Sequence, residues 1–154
     1  MALTITSPAF QSGRGIPAAC TCDGEDVSPP LRWSGAPAGT QSFALIVEDP
    51  DAPRGTWTHW VVYNIPSDEQ ELPEHLPARE QLPNGTRQGL TDFRCVGYGG
   101  PCPPSGTHRY VFTLYALGVM LPVAPAATKA QLRKAMAGHS LAHAELIGTY
   151  QRLR

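Results

Sequence analysis

Three runs of apolar residues dominate the pattern of the chain. They are Ser42 to Asp49 (SFALIVED), Thr58 to Ile65 (THWVVYNI) and Arg109 to Leu117 (RYVFTLYAL), each rich in β-branched and aromatic residues. Runs of this length, bounded by Pro and Gly, predict buried strands. In the third run both sets of alternate residues are mostly apolar, which predicts a central strand. Weaker strands are predicted at Leu3 to Ser7, Leu31 to Ser34 and Gly148 to Arg152.

Helical periodicity appears only towards the C-terminal end. Thr128 begins a sequence with the spacing of a capping box, and the apolar face that follows it ends before Gly138, which predicts a helix over about 129–137. A second helix is predicted from Leu141 to Ile147, with Ser140 as its N-cap and Gly148 at its end. Together these elements predict a mainly β fold, a sandwich of two largely antiparallel sheets with two short C-terminal helices.

Composition narrows the class of protein further. The 154 residues are 42% hydrophobic, which is enough for one core, so residues 1–154 are expected to form a single domain. The 16 Pro and 15 Gly are spread between the apolar runs, which indicates many turns rather than a disordered segment. A formal net charge of −1, with 16% charged residues, lacks the basic surface that binds nucleic acid or anionic lipid. Any affinity for an anion must therefore come from a local site.

The patterns that report cellular location favour the cytoplasm. The N-terminal sequence MALTITSPAF has no basic segment, no continuous apolar segment and no cleavage site, and no later stretch is long enough to cross a bilayer. We therefore expect a cytoplasmic protein with no membrane span. Because a reducing cytosol disfavours disulfides, the four cysteines are interpreted as free thiols.

Candidate functional residues lie where strands begin or end. Asp49 and Asp51 belong to the turn Asp-Pro-Asp-Ala-Pro, whose two prolines stiffen the chain directly after an apolar strand. His59 lies in Trp-Thr-His-Trp at the start of the next strand. Taken singly, each has a structural alternative, because an Asp in such a turn often caps it and a flanked histidine is often bonded to a backbone carbonyl in the core.

A third candidate segment runs from Tyr98 to Tyr110 (YGGPCPPSGTHRY). Its Gly and Pro residues allow a ligand to approach the backbone closely, and it leads directly into the predicted central strand. His108 is then at the mouth of the sheet, whereas Arg109 points to the opposite face and is expected to form a structural ion pair. Since all three segments place an Asp or His at a stiffened strand end, we predict that they form one site.

The order DPDAP, Trp-x-His-Trp and GPCPPSGTHRY resembles the phosphatidylethanolamine-binding protein family, also called Raf kinase inhibitor-like proteins. The likeness covers nearly the whole chain. It includes the N-terminal SPAF, the segment IPAACTCDGEDVSPPLRW and the C-terminal GHSLAHAELIGTYQR, which are similar to the bacterial YbhB/YbcL branch.

This resemblance implies a β-sandwich with a small pocket for phosphate, a phosphorylated head group or a carboxylate, without cofactor or metal. It also implies a homodimer. Two loops, from Pro53 to Trp57 and from Pro104 to His108, are shorter than in the kinase-binding members, so inhibition of a Raf-type kinase is not carried over. Matched motif by motif, the ligand-binding residues are Asp49, Asp51, His59, Pro104, His108 and Tyr110, with Arg109 as support for the loop.

The pocket chemistry predicts a dependence on pH. Two carboxylates and two histidines accept a phosphate only when enough protons are present. A cationic His59 or His108 attracts the anion, and an Asp can hold the imidazole in the donating tautomer. We therefore predict that anion affinity falls as the pH rises through the histidine range.

Three other interpretations stay open. A hydrolase could use Ser105, His108 and Asp49 as a triad, but Ser105 lies in Pro-Ser-Gly-Thr rather than in a G-x-S-x-G elbow, which favours binding without catalysis. A metal site could use the cysteines, although Cys20-Thr21-Cys22 does not have the usual zinc spacing. The pocket could also sense a phosphorylated protein partner, whose identity the sequence does not give.

One further histidine pair has ligand spacing. His139 and His143 are four residues apart, a spacing that would place them on one face of a helix. Without a third ligand in register, they are interpreted as a solvated or interface face rather than a metal site.

Overall fold

The computed structural model describes residues 2–152, which form two antiparallel sheets. The smaller sheet has three strands and the larger has five, and one α-helix precedes the last strand. Within the described residues the elements in chain order are β1 (Thr4–Thr6), a 3₁₀ helix (Ala18–Cys20), β2 (Leu31–Ser34), β3 (Ser42–Asp49), β4 (Trp57–Pro66), β5 (Glu71–Leu72), β6 (Arg87–Gln88), β7 (His108–Leu117), α1 (Lys129–Met136) and β8 (Ser140–Tyr150).

The three strong strand predictions are confirmed, and they form the centre of the larger sheet. The strand order is β1-β2-β5 in the small sheet and β6-β4-β3-β7-β8 in the large one. Phe112, Leu114 and Ala116 of β7 are fully buried, as expected for a central strand, whereas Val111 and Tyr115 on its other face are half-buried. The weaker strands predicted near residues 3–7 and 31–34 are also present as β1 and β2.

The main core lies between the two sheets. Alternate residues of each strand point into it because a strand turns successive side chains to opposite faces. Trp33 of β2 packs on Phe43 of β3, with ring centroids 5.5 Å apart, and Phe10 packs on Phe112 at 5.8 Å. Burying one such aromatic side chain contributes roughly 2–3 kcal/mol, so these contacts hold the sheets together.

The outer face of the large sheet is covered by α1 and the segment before it. Thr128 and Gln131 form the predicted capping box, and Leu132 and Met136 are buried against the sheet. Glu48 at the end of β3 accepts hydrogen bonds from Lys129 and Arg133 of α1. The helix therefore fixes the strand end from which the candidate Asp-Pro turn begins.

The second predicted helix is wrong, because Ser140–Tyr150 is strand β8. Its Ala, Leu and Glu residues favour helix locally, but pairing with the whole length of β7 outweighs that preference. Gly148 does not end a helix. A Cβ at that position would collide with the side chains of Ile16 and Phe10, so glycine lets the core close against β8. Consequently, His139 and His143 do not share a helix face.

The interpretation of four free thiols is wrong for two of them. A disulfide joins Cys22 to Cys102, whose Cα atoms are 5.4 Å apart, within the range that a disulfide spans. Cys20 is buried and free, and burial raises the pKa of its thiol to about 11. Cys95 is free and exposed.

No helix among the described residues is long and apolar enough to cross a membrane.

Candidate functional site

The topology of the large sheet brings the three sequence segments together. β3 ends at Asp49, which pairs with Trp57 at the start of β4. On its other side β3 runs antiparallel to β7, so the start of β7 at His108 lies beside the same end of β3. Because β3 separates β4 from β7, all three segments meet at one edge of the sheet.

A cavity of about 530 Å³ opens at this edge. Its walls come from the turn after β3, the start of β4, the loop around Phe93 and the loop before β7. The residues that line it are Asp49, Ala52, Pro53, Arg54, Gly55, Thr56, Trp57, His59, Asp92, Phe93, Cys102, Pro103, Pro104, His108 and Tyr110. Five of the six predicted ligand residues are therefore on one cavity, and Asp51 is not.

His108 and Asp49 form a buried pair at the base of the cavity. The Nδ1 of His108 lies 2.7 Å from Oδ2 of Asp49, and the two residues are 7% and 4% exposed. A carboxylate accepts, so Nδ1 carries the proton and Nε2 is left as the polar ring atom available to the cavity. The other oxygen, Oδ1, accepts the backbone N–H of Asp51 at 2.8 Å. Asp49 thus caps its own turn and orients the histidine.

His59 is held by a backbone carbonyl rather than by a carboxylate. Its Nδ1 donates to the carbonyl of Gly99 at 2.6 Å, and the N–H of Gly99 donates back to the carbonyl of His59 at 3.0 Å. The rings of Phe93 and Tyr110 contact its imidazole edge to face, each at 5.2 Å. Burial lowers the pKa of His59 below its ordinary value of 6.5, so the ring is neutral at neutral pH and presents an unprotonated Nε2.

Tyr110 carries a polar atom for which the protein supplies no well-formed hydrogen bond. Its side chain is 1% exposed and lines the cavity, and within residues 2–152 its hydroxyl has no acceptor at full hydrogen-bond distance and angle. Burial first, then the charges of Asp49 and Asp51 and a weaker hydrogen-bonding interaction with the Asp49 carboxylate, raise the pKa of this phenol, so it is a donor at every physiological pH. A buried hydroxyl without a partner costs about 1–3 kcal/mol. Such a group is therefore expected to have a partner that arrives with a ligand.

Asp51 is engaged outside the cavity. Its carboxylate accepts the Nε of Arg109 at 2.9 Å and an Nη of the same guanidinium at 2.8 Å, together with the backbone N–H of Arg109. These bonds lower the pKa of Asp51 to about 2, the side-chain bond from Arg109 being the largest cause. Because β7 alternates, Arg109 points away from the cavity, and the pair joins the Asp-Pro turn to the start of β7.

Several lining residues had no clear sequence signal. Trp57 and Phe93 are 39% and 41% exposed and pack edge to face at 5.5 Å, so they form an aromatic rim. Asp92 comes from a loop that the sequence did not link to the site, and its Oδ2 accepts the N–H of Thr58 at 2.7 Å. Arg54 lies in the Asp-Pro turn. Only Trp57 belongs to a quoted motif, where it was treated as a neighbour of His59.

The charge of the lining decides which ligands it suits. With both histidines neutral, Asp49 and Asp92 outnumber Arg54, which leaves a net charge of −1. If both histidines take up a proton, the net charge becomes +1. Protonation of the two rings would therefore change the cavity from repelling an anion to attracting one.

The other candidate groups lie elsewhere. Ser105 does not line this cavity but a neighbouring one, together with Gly106 and Arg152. Within residues 2–152, no cluster of three or more His, Cys, Asp or Glu side chains could hold a metal ion. His143 instead contacts the ring of Tyr115, at a centroid distance of 6.2 Å.

Comparison with known proteins gives one family. The family model described as phosphatidylethanolamine-binding protein matches residues 6–151. Among curated proteins, a UPF0098 protein of Methanothermobacter thermautotrophicus is 50% identical over 150 residues, covering 97% of this chain and 99% of the relative. A UPF0098 protein of Aquifex aeolicus is 48% identical, covering 97% of this chain and 89% of the relative.

Solved structures agree with these matches. A crystal structure of a putative phosphatidylethanolamine-binding protein homologue from Chlamydia trachomatis has a TM-score of 0.91 at 44% identity and covers 99% of both chains. The structure of Escherichia coli YbcL, described as a new member of the mammalian PEBP family, has a TM-score of 0.90 at 36% identity. It covers 99% of this chain and 100% of YbcL.

Proposed function

The chain belongs to the phosphatidylethanolamine-binding protein family, and we propose that its cavity binds a small anion, a phosphate or phosphorylated head group, without turning it over. The observation that carries this proposal is the hydroxyl of Tyr110, buried in the lining and without a well-formed hydrogen bond in the described chain. An anion seated beside it would accept that hydrogen bond. The imidazoles of His59 and His108 border the same cavity, so one anion can contact all three groups.

The two histidines make this binding a proton-linked event. Both rings use Nδ1 for a fixed acceptor, so Nε2 donates to an anion only when the ring is cationic. Burial keeps His59 neutral at neutral pH, whereas a bound anion stabilises its charged form. We therefore propose that the pocket takes up protons together with its ligand.

A titration with sulfate tests the proton linkage, because sulfate stays a dianion over the whole histidine range whereas phosphate itself titrates. We expect affinity for sulfate to rise as the pH falls, because the pKa of His59 is lowered, and to decrease by up to about tenfold per pH unit, for each proton taken up, as the pH rises. Calorimetry in two buffers of different ionisation enthalpy would count those protons. An affinity for sulfate that stays constant from acid to mildly alkaline pH would remove the histidines from binding.

The substitution Tyr110→Phe tests the central observation. It removes a buried hydroxyl that makes no well-formed hydrogen bond, so the unfolding free energy of the free protein should rise, by at most about 1 kcal/mol. Affinity for inorganic phosphate should fall at least about tenfold, since a hydrogen bond to an anion contributes more than a neutral one. Thermal unfolding and calorimetry would measure the two effects, which have opposite signs.

A matched control is Tyr63→Phe, on the opposite face of the sheet. The hydroxyl of Tyr63 donates to the carbonyl of Ala124 and accepts the N–H of Ala127, so its loss should destabilise the protein and leave phosphate affinity unchanged. If Tyr110→Phe behaves like this control, with lower stability and unchanged affinity, the hydroxyl of Tyr110 is not a ligand contact.

A hydrolase is the second candidate, because the Asp49–His108 pair resembles an oriented general base. Against it, no serine is among the residues that line the cavity, and Cys102 is held in a disulfide. Binding without turnover therefore has the better support. The calorimeter also distinguishes the two, because hydrolysis of a phosphate monoester gives heat that continues after the injection ends.

The source of the anion and the assembly of the chain also belong to this proposal. A free phosphorylated head group and a phosphorylated protein both present a phosphate monoester, whereas an intact phospholipid presents a diester, and the exposed rim of Trp57 and Phe93 can receive apolar parts of any of them. A regulatory or inhibitor-like role follows if the ligand is a protein.

A homodimer stays a prediction from the resemblance.

A further inference from the structure

The disulfide joins the pocket to a distant part of the chain. Cys102 lines the anion cavity with its neighbours Pro103 and Pro104, and Cys22 lies on the turn that follows the 3₁₀ helix. Cys102 is exposed and Cys22 half-buried, so Cys102 is the more accessible residue of the pair. A covalent bond therefore runs from the cavity wall to the N-terminal segment.

The loop that carries Cys102 also positions a ligand residue. Gly99 lies three residues before Cys102 and holds His59 through two reciprocal hydrogen bonds. No strand or helix is present from Val96 to Thr107, so this loop is fixed mainly by its contacts. A loop without regular structure opens at a lower free-energy cost than a core strand does, and its restraints decide its position.

Several of those restraints come from the same N-terminal segment. The N–H of Cys22 donates to the carbonyl of Pro101 at 3.1 Å, and the N–H of Gly100 donates to Asp26 at 2.8 Å. The hydroxyl of Tyr98 donates to the carbonyl of Cys20 at 2.8 Å. Each of these bonds is non-covalent and can open separately, so the disulfide is the strongest single restraint on the loop.

We propose that Cys22–Cys102 is a redox-active disulfide whose reduction by a dithiol weakens anion binding. In the first step, a thiolate of the reductant attacks Sγ of Cys102, the S–S bond breaks, and Cys22 leaves as a thiolate that takes up a proton. In the second step, the other thiol of the reductant attacks the mixed disulfide and releases Cys102. The reductant loses two electrons and two protons to become a cyclic disulfide, and the protein gains two thiols.

The free thiol of Cys95 completes this site. Cys22, Cys95 and Cys102 line one second cavity of about 330 Å³, next to Gly99 and Gly100. Cys95 is exposed and shares this lining with the disulfide, so it is a free thiol that could interfere with thiol exchange at Cys22–Cys102. Experiments on the disulfide therefore start from the variant Cys95→Ser, whose position is outside the anion cavity.

The test rests on the proposed function and uses inorganic phosphate as the probe. Cys95→Ser is prepared oxidised, and a second sample is reduced with dithiothreitol and kept free of oxygen. Thiol titration should show two more thiols in the reduced sample. If the freed loop holds the binding conformation about one tenth of the time, the dissociation constant for phosphate rises about tenfold. The double variant Cys22→Ser/Cys102→Ser should match the reduced sample, with circular dichroism as the check of folding.

Each outcome separates this proposal from the one before it. Equal phosphate affinity in the oxidised and reduced samples overturns the coupling and leaves anion binding intact. If neither sample binds phosphate, the anion-binding proposal fails. Hydrogen exchange of the Gly99 amide then tests whether the disulfide controls the position of the loop beside His59. Faster hydrogen exchange of that amide on reduction supports it, because the amide is bonded to His59, and an unchanged exchange rate contradicts it.

Discussion

Replacing His108 with alanine is expected to lower affinity for inorganic phosphate by at least about thirtyfold. Two effects act in the same direction. The substitution removes Nε2 from the cavity, and it leaves Asp49 as a buried carboxylate without the hydrogen bond that His108 donates, facing the anion. Loss of that donor also lowers the free energy of unfolding, by about 1–3 kcal/mol. Calorimetry and chemical denaturation would measure the two losses.

Two further variants separate binding from stability. His143→Ala makes the same substitution on β8. The His143 ring contacts the ring of Tyr115 and is not among the residues that line the cavity, so phosphate affinity should not change. In the double variant Asp49→Asn/His108→Ala, the stray carboxylate is gone, so most of the stability should return. Affinity should stay low because no imidazole has been restored. If the double variant binds phosphate as tightly as the wild type, His108 is not a ligand contact.

Much of the fold and part of the site could be predicted from sequence, for a local reason. The strands β3, β4 and β7 are buried on at least one face. Their apolar runs can therefore be recognised as strands from the local sequence, without knowledge of the neighbouring strands. Asp49, His59 and His108 lie at the ends of those strands, and the order of their motifs identified the family. Strand ends that meet at one sheet edge then placed them together.

The remainder depended on contacts between distant segments. Residues 140–150 favour helix locally, and only pairing with β7 makes them a strand. Asp92 reaches the cavity because its carboxylate holds the N–H of Thr58, a contact across 34 positions. Asp51 shares the motif of Asp49, but Arg109 captures its carboxylate on the other side of the strand end. No local pattern distinguishes these outcomes.

The disulfide is the largest single departure from the sequence prediction, and its removal has a large expected effect. Cys22 and Cys102 are 80 positions apart, so the bond closes a loop that contains strands β2 to β6. Closing so long a loop restricts the unfolded chain strongly. The double variant Cys22→Ala/Cys102→Ala should therefore lose about 2–4 kcal/mol of unfolding free energy, measured by chemical denaturation without ligand.

This loss has a different origin from the effect on phosphate, and a control can show it. Cys95→Ser alters an exposed thiol outside the disulfide and should change stability by less than about 0.5 kcal/mol. Reduced wild-type protein should be as unstable as the double variant, since both lose the same cross-link. Equal unfolding free energies for the oxidised protein and the double variant would mean that native strain cancels the restriction of the unfolded chain. In that case the bond would serve the loop beside His59 rather than the stability of the fold.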